Sequence, residues 1–241
     1  MKICALIPVY NNAETIGDVV LRCRSVLEPD VLVVSDGSTD GSDAIARESG
    51  AEVIVIEDNQ GKGNAIRAGL AKALELGYTN AVVVDADGQH LPEEIPTLVE
   101  TARSDREKIW VGVRRMPQGE VPTSSIRGRS ISNFWATLNG WQRCEDTQSG
   151  FRVYPIEETL ALGCKEDGFT FEMEVLVRAA WKGLRIGHVE VDVLYPRDGE
   201  ERVTHFDMRR DNLAFSWLSF RMFWGMIGRS PVLLWRKIST L

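Results

Sequence analysis

The chain has 241 residues, of which 44% are hydrophobic and 26% are charged. These values are ordinary for a globular protein, and the length suits one large domain. The formal net charge of −7 argues against a nucleic-acid-binding protein. Four widely spaced cysteines without a Cys-x-x-Cys pair predict reduced thiols in a cytosolic protein, rather than a zinc site or a disulfide framework.

The amino-terminal apolar run is interrupted by Pro8 and then by two asparagines, which is not the pattern of a signal peptide. No stretch reaches the roughly 20 apolar residues that a membrane-spanning helix needs. We therefore expect a cytoplasmic protein without a membrane span.

Short apolar runs alternate with amphipathic segments along the first half of the chain. This alternation predicts an α/β fold, with a mostly parallel central sheet covered by helices on both faces. We predict strands over residues 3–9, 31–35, 53–56, 82–84 and 109–113. A helix is predicted after each of the first four strands, and Asn12 is expected to cap the first helix.

The pattern changes after the fifth predicted strand. Residues 114–129 combine prolines, glycines and serines with four arginines, which predicts either a functional lid or a disordered segment. Helices are predicted over residues 131–141 and 169–183, and a strand or hairpin over 185–193.

Residues 213–227 are rich in tryptophan, phenylalanine and leucine, and six bases stand against two acids from His205 onward. This composition suits an interfacial helix that lies on a membrane. It suits a helix buried against the sheet or between two copies of the chain equally well. We therefore divide the chain into an α/β domain over residues 1–206 and an amphipathic, aromatic and basic helical segment over residues 207–241.

The strongest chemical signal follows the fourth predicted strand, in Asp85-Ala86-Asp87-Gly88-Gln89-His90. Ligands of open α/β sheets bind beyond the carboxyl ends of the strands. Two carboxylates followed by an amide oxygen are hard ligands that suit Mg²⁺ or Mn²⁺ carrying phosphate oxygens. An isolated Asp-x-Asp is more often a turn that caps the next helix, so the interpretation depends on the rest of the chain.

Two common nucleotide-binding signatures are absent from the sequence. Gly61-Lys62-Gly63 lacks the third glycine and the downstream acidic residue of the dinucleotide fingerprint, and there is no Walker phosphate loop.

Several motifs in the expected order resemble the family 2 glycosyltransferases of the GT-A fold. They occupy residues 5–12, 33–40, 61–63 and 85–90. Residues 147–152 and 171–174 narrow the resemblance to the dolichyl-phosphate mannosyltransferase and polyprenyl-phosphate glycosyltransferase branch. The resemblance extends over about residues 3–206.

The resemblance implies a nucleotide-diphosphate sugar as the donor and transfer with inversion at the anomeric carbon. The residues implied for the nucleoside pocket are Pro8, Tyr10, Asn11, Glu14 and Asp36. Lys62 and Asp85 are expected beside the nucleotide. Asp87 and Gln89, together with Asp85, would hold Mg²⁺ or Mn²⁺, which would neutralise the diphosphate leaving group.

The implied acceptor is a polyprenyl phosphate at the cytoplasmic membrane face. Arg114 and either Arg127 or Arg129 align with arginines that the family places at the acceptor phosphate, and Arg202 is a further candidate. Arginine suits this task because its planar fork binds two phosphate oxygens at once. A phosphate acceptor is already an anion, so it needs no general base.

An alternative keeps the fold and the donor but takes a saccharide or lipid hydroxyl as the acceptor. A carboxylate would then have to accept the hydroxyl proton. Glu174, followed by Glu172, is the candidate for that general base.

Two other functions have less support from the sequence. A nucleotidyltransferase would carry a glycine-rich basic loop directly after the first strand, where residues 8–12 stand instead. A non-catalytic scaffold would have no need of three oxygen ligands at a strand end. Ser35 and Asn12 stand where many relatives carry acidic residues, and these departures leave the donor nucleotide and the acceptor lipid open.

Overall fold

A computed structural model of the protein describes residues 1–27, 30–115, 123–194 and 208–239. In this part of the chain, seven strands form one sheet in the order β3-β2-β1-β4-β6-β5-β7. The strands are β1 (Ile3–Val9), β2 (Val31–Asp36), β3 (Glu52–Ile56), β4 (Asn80–Val83), β5 (Ile109–Arg114), β6 (Arg152–Pro155) and β7 (Ile186–Val191). The helices are α1 (Ala13–Val26), α2 (Ser42–Glu48), α3 (Lys62–Glu75), α4 (Ile95–Ser104), α5 (Thr123–Gly140), α6 (Ile156–Ala161), α7 (Phe171–Lys182) and α8 (Met208–Ser239).

The sheet is mostly parallel, which confirms the predicted α/β class. Strand β1 lies between β2 and β4, and both pairings are parallel, as are those of β2 with β3 and of β5 with β7. Only β6 runs against its neighbours β4 and β5. Every residue of β1, β2 and β4 is buried, as their uninterrupted apolar runs require in a sheet covered on both faces.

Each face of the sheet packs into its own hydrophobic layer. One layer joins Leu6 and Val83 to Leu70 of α3 and Phe171 of α7. The other joins Ile7 and Val33 of the sheet to Ile16 of α1 and Leu98 of α4. The parallel register of the central strands brings their carboxyl ends to one edge of the sheet. The segments that follow β1, β2 and β4 therefore meet there.

The stretch without secondary structure that was predicted over residues 114–129, as a lid or a disordered segment, was wrong at both ends. Arg114 belongs to β5, and α5 begins at Thr123 rather than at residue 131, while residues 116–122 lie outside the described ranges. The early turns of α5 escaped the sequence pattern because the helix faces a polar neighbour there. Arg129, in the second turn of α5, donates to the buried Asp146 carboxylate and to the Arg114 carbonyl.

The predicted cap of α1 was also wrong. Asn12 occupies the N-cap position, but its side chain makes no capping hydrogen bond. The Ala13 amide instead donates to the Asp40 carboxylate at 2.8 Å, and Asp40 also accepts from the Ser42 amide at the start of α2. A single carboxylate thus serves the amino termini of two helices.

The carboxy-terminal helix α8 is longer than the apolar segment predicted over residues 213–227. It buries Leu218, Met222 and Met226, and it packs against α5 and α7. None of the helices in the described ranges combines the length and the apolar character needed to cross a bilayer. The predicted domain boundary at residue 206 lies outside those ranges.

Candidate active site

A cavity of about 670 Å³ opens at the carboxyl ends of β1, β2 and β4. Six residues predicted for the donor site line it, namely Pro8, Tyr10, Asp36, Lys62, Asp85 and Asp87. Phe169 and Thr170, which precede α7, line another part of the wall, and so does Ala214 of α8. The fold therefore gathers residues that are far apart in sequence into one polar site.

Lys62 links two carboxylates inside this cavity. Its Nζ lies 2.6 Å from Asp85 Oδ1 and 2.6 Å from Glu172 Oε1. Burial disfavours the lysine charge, but the two carboxylates outweigh it and raise the pKa of Lys62. Burial likewise opposes ionisation of Asp85, but the Lys62 charge leads the effects that lower the pKa of Asp85 below its ordinary value. Both groups are therefore charged at neutral pH.

The motif over residues 147–152 belongs to this site because its Gly150 packs directly against Asp85. A Cβ atom on Gly150 would collide with the Asp85 carboxylate, so only glycine permits this close approach. The fully buried Arg152 holds the same loop, because its guanidinium donates to the carbonyl oxygens of Thr147, Ser149 and Glu172.

Asp87 has the electrostatics of a cation ligand. Burial, and then the neighbouring charge of Asp85, raise the pKa of Asp87 above its ordinary value. A cation at this carboxylate would relieve both effects. One Asp87 oxygen accepts from the Gln89 amide at 3.0 Å. His90 packs behind the site against Phe151, and burial lowers the pKa of His90 to about 4, so the ring is neutral at pH 7.

No group of three His, Cys, Asp or Glu side chains in the described part of the chain is arranged to hold a metal ion. Mg²⁺ is commonly bound by one or two carboxylates, with its coordination completed by substrate phosphates and water, and the carboxylates of Asp85 and Asp87 line the cavity. The residues present therefore fit a metal that arrives with a diphosphate, and Asp87 is the ligand best placed for it. Asp85 is already paired with Lys62.

Three residues predicted for the donor or the metal do not line the cavity. Asn11 has a positive φ of 49°, and its side chain accepts from the Thr39 amide at 2.8 Å, so it shapes the adjacent turn. Glu14 is exposed in the first turn of α1. Gln89 contributes its backbone, which accepts from the Leu194 amide. Asp36 does line the cavity, but its two oxygens accept from the Gln60 and Gly61 amides.

Two of the predicted acceptor arginines share one buried carboxylate. Arg114 donates through Nε and Nη2 to the two oxygens of Asp146, at 2.8 and 2.9 Å. Arg129 donates to Asp146 Oδ2 at 3.4 Å and to the Arg114 carbonyl at 3.0 Å. Burial opposes the Asp146 charge, but the Arg114 hydrogen bonds and the two arginine charges lower the pKa of Asp146. Arg114 and Arg129 are therefore held as one cationic pair.

The other two acceptor candidates stand apart from this pair. Arg127 is exposed on α5, two residues before Arg129. Arg202 lies outside the described residues.

The structure does not support Glu174 as a general base. Its side chain is fully buried. Its Oε2 accepts from the Lys165 and Glu166 amides at 2.8 and 2.7 Å, and its Oε1 accepts from Arg178 at 2.6 Å. Glu174 therefore anchors the loop before α7 and does not reach the cavity.

Sequence reasoning missed Asp146 and underrated Glu172. Asp146 directly precedes the residues 147–152 that carried the resemblance, so a buried carboxylate near two arginines could have been suspected there. The partnership of Glu172 with Lys62 has no local signal, because the two residues lie on different helices.

The mostly parallel sheet, the polar cavity at the carboxyl ends of its strands and the Asp85–Asp87 carboxylates are the arrangement of an α/β ligand-binding site. Residues 4–157 match the profile of glycosyl transferase family 2, and the chain belongs to this family.

Curated relatives and a solved structure resemble most of the chain. The undecaprenyl-phosphate mannosyltransferase of Micrococcus luteus is 31% identical over 85% of this chain and 88% of its own. The UDP-N-acetylglucosamine–dolichyl-phosphate N-acetylglucosaminyltransferase of Methanococcus voltae is 30% identical over 83% of this chain and 91% of its own. Glucosyl-3-phosphoglycerate synthase from Mycobacterium tuberculosis, solved with Mn²⁺, UDP-glucose and phosphoglyceric acid, is similar with a TM-score of 0.72 and 21% identity, over 94% of this chain and 80% of that one. At 21% identity, the similarity to the mycobacterial synthase shows a shared fold alone.

Proposed function

We propose that this protein transfers a sugar from a nucleotide-diphosphate sugar to a polyprenyl phosphate, with inversion at the anomeric carbon. The observation that carries the proposal is the arginine pair on Asp146, which is a ready anion site. The Arg114 charge also lowers the pKa of Asp85 and of Asp87, so Arg114 lies within electrostatic range of the donor cavity. An anionic acceptor bound by the arginines can thus meet a donor bound in the cavity.

The donor half of the reaction rests on Asp87 and Lys62. Mg²⁺ or Mn²⁺ bound by Asp87 and the diphosphate would neutralise the charge that develops on the leaving group. The Mn²⁺ and UDP-glucose of the similar mycobacterial structure support this part of the proposal. Lys62 keeps Asp85 oriented at the edge of the cavity and offsets part of the carboxylate charge that a diphosphate would meet there.

The acceptor half favours a phosphate over a hydroxyl. A phosphate monoester attacks as an anion and needs orientation by cations, which Arg114 and Arg129 can provide. A hydroxyl would need a base, but both Glu174 oxygens already accept hydrogen bonds, from two backbone amides and from Arg178. The names of two relatives, an undecaprenyl-phosphate and a dolichyl-phosphate transferase, support the same choice.

Helix α8 suits peripheral attachment to a membrane. Leu213, Trp217, Phe220, Trp224 and Ile227 are all exposed. Their spacing of four and three residues puts them on one stripe, which we call the α8 stripe. Ala214, next to Leu213, lines the cavity, so the stripe starts beside the site. An interfacial helix would bury such a stripe in the headgroup region, whereas a dimer would bury it against a second copy.

A transfer assay tests this proposal. Polyprenyl phosphate in detergent is incubated with radiolabelled UDP- and GDP-sugars, with Mg²⁺, with Mn²⁺ or with EDTA. We expect a metal-dependent product that extracts with lipid and releases its sugar in mild acid. Metal-dependent hydrolysis of a donor without a lipid product would contradict the acceptor, and absence of any donor turnover would contradict the enzyme.

A further inference from the structure

Helix α5 exposes apolar side chains beside the acceptor arginines. Ile131 and Phe134 are 57% and 58% exposed, which is unusual for large hydrophobic residues in the middle of a helix. They follow the exposed Arg127 by four and seven residues, so the three side chains lie on one face of α5. We call Ile131 and Phe134 the α5 patch.

The opposite side of the same helix carries the anion site. Arg129 turns inward to Asp146 and to the Arg114 carbonyl, and Ser132 and Ala136 are buried below it. A single helix thus joins the proposed phosphate site to an exposed apolar patch. A surface that covers the α5 patch would therefore lie close to Arg129, which precedes Ile131 by two residues on the same helix.

The α5 patch belongs to a wider asymmetry of the molecule. Ten of the fourteen exposed large hydrophobic side chains in the described residues lie on α5 or α8. The two helices pack together, and Asn139 Nδ2 donates to the Ser219 carbonyl at 3.3 Å. Apolar side chains that concentrate on two neighbouring helices indicate a shared contact surface, because scattered exposure would need no explanation.

The charge of α5 favours an anionic bilayer as the occupant. The chain carries a net charge of −7, so an anionic surface repels most of it. The α5 segment, by contrast, has no acidic residue, and its outward face carries Arg127, whereas Arg129 is paired with Asp146. Basic and apolar side chains on one helix face are the combination that binds anionic lipid headgroups.

We propose that Ile131 and Phe134 enter the headgroup region of an anionic bilayer, as a second contact besides the α8 stripe. Two contacts fix the orientation of the protein, which a single helix cannot do. The α5 contact holds Arg114 and Arg129 at the height of lipid phosphates. This inference rests on the proposed function, and it explains how an acceptor anchored in a membrane reaches a site on the protein.

Vesicle flotation with the full chain tests the proposal. The variant Ile131→Ser/Phe134→Ser is compared with Leu21→Ser/Leu74→Ser, whose residues are 55% and 41% exposed on α1 and α3. On vesicles of phosphatidylcholine and phosphatidylglycerol, we expect the α5 variant to bind about tenfold more weakly than wild type. The α1/α3 variant should bind like wild type.

Activity separates this inference from the proposed function. With a water-soluble short-chain prenyl phosphate, the α5 variant should turn over like wild type, but with acceptor embedded in vesicles it should be slower. If wild type transfers sugar neither to the soluble acceptor nor to the acceptor in vesicles, the proposed function fails, whatever the flotation result. Equal flotation of the α5 variant and wild type overturns the membrane contact. The membrane contact is also overturned if light scattering shows that wild type is a dimer and the α5 variant a monomer, while flotation does not change.

Discussion

Arg114 and Asp146 are joined by two parallel hydrogen bonds, with Nε and Nη2 of the arginine on the two carboxylate oxygens. The side chain of Asp146 is fully buried, whereas that of Arg114 keeps 20% of its surface exposed. One buried carboxylate that is shared by two arginines leaves the three side chains with a net positive charge. We therefore interpret Asp146 as a positioning residue for the acceptor arginines.

The first prediction concerns Asp146→Asn. Asparagine cannot accept both Arg114 hydrogen bonds, so two cations lose their common partner. We expect the free energy of unfolding to fall by about 3 kcal/mol and the KM for the lipid phosphate to rise about tenfold. The KM for the donor should hardly change.

Asp105→Asn is the matched control, since Asp105 pairs with Arg185 and Lys108 just before β5 begins, at the other edge of the sheet. Equal changes in both KM values for Asp146→Asn would mean that Asp146 has only a structural role.

The second prediction is a pH dependence of stability. The pKa of Asp146 is lower in the folded protein than its ordinary value of about 4 in an unfolded chain. The contribution of Asp146 is therefore complete above about pH 4 and is lost as the pH falls further, because the unfolded state then binds the proton more tightly. In urea titrations, the stability gap between wild type and Asp146→Asn should be constant from neutral pH down to about pH 4 and shrink below it. A gap that grew on acidification would refute this assignment.

The third prediction concerns Lys62→Met, which leaves Asp85 and Glu172 without their shared cation. We expect a loss of about 3 kcal/mol in unfolding free energy and weaker binding of the donor nucleotide by calorimetry. Lys72→Met lies on the same helix and breaks only an exposed pair with Glu75, so it should cost less than about 0.5 kcal/mol. Unchanged donor affinity in Lys62→Met would remove Lys62 from the donor site.

The fourth prediction separates anchoring from base catalysis at Glu174. Glu174→Gln should lower the thermal midpoint, because the amide cannot serve two backbone donors and Arg178 equally well. The folded variant should keep measurable turnover, with the same dependence of kcat on pH as wild type. A variant of normal stability without turnover would restore Glu174 as the general base.

The meeting of the predicted donor residues at one cavity was predictable from the sequence, and the reason is local. Asp36 ends β2 and Asp85 comes shortly after β4, and the carboxyl ends of these parallel strands meet at one edge of the sheet. The position of each carboxylate therefore follows from the strand before it. Lys62 was expected beside the nucleotide from the resemblance, and the structure places it at the start of α3, on the wall of the cavity.

The acceptor side was only partly predictable, because it depends on contacts between distant residues. Arg114 meets Asp146 across 32 positions in the sequence. Glu174 looked like a favourable charge near the start of a helix or a candidate base, and only the folded loop reveals its amide partners. The first turns of α5 face polar groups, so no apolar periodicity marked them.

The central claim is that the acceptor is a phosphate, and a comparison of two acceptors tests it most directly. Polyprenyl phosphate and the polyprenol of the same chain length are offered separately to wild type and to Arg114→Ala, with the same donor and metal. The account predicts sugar transfer by wild type to the phosphate alone, and a large loss of that transfer in Arg114→Ala. Transfer to the alcohol at a comparable rate, undiminished in Arg114→Ala, would contradict it.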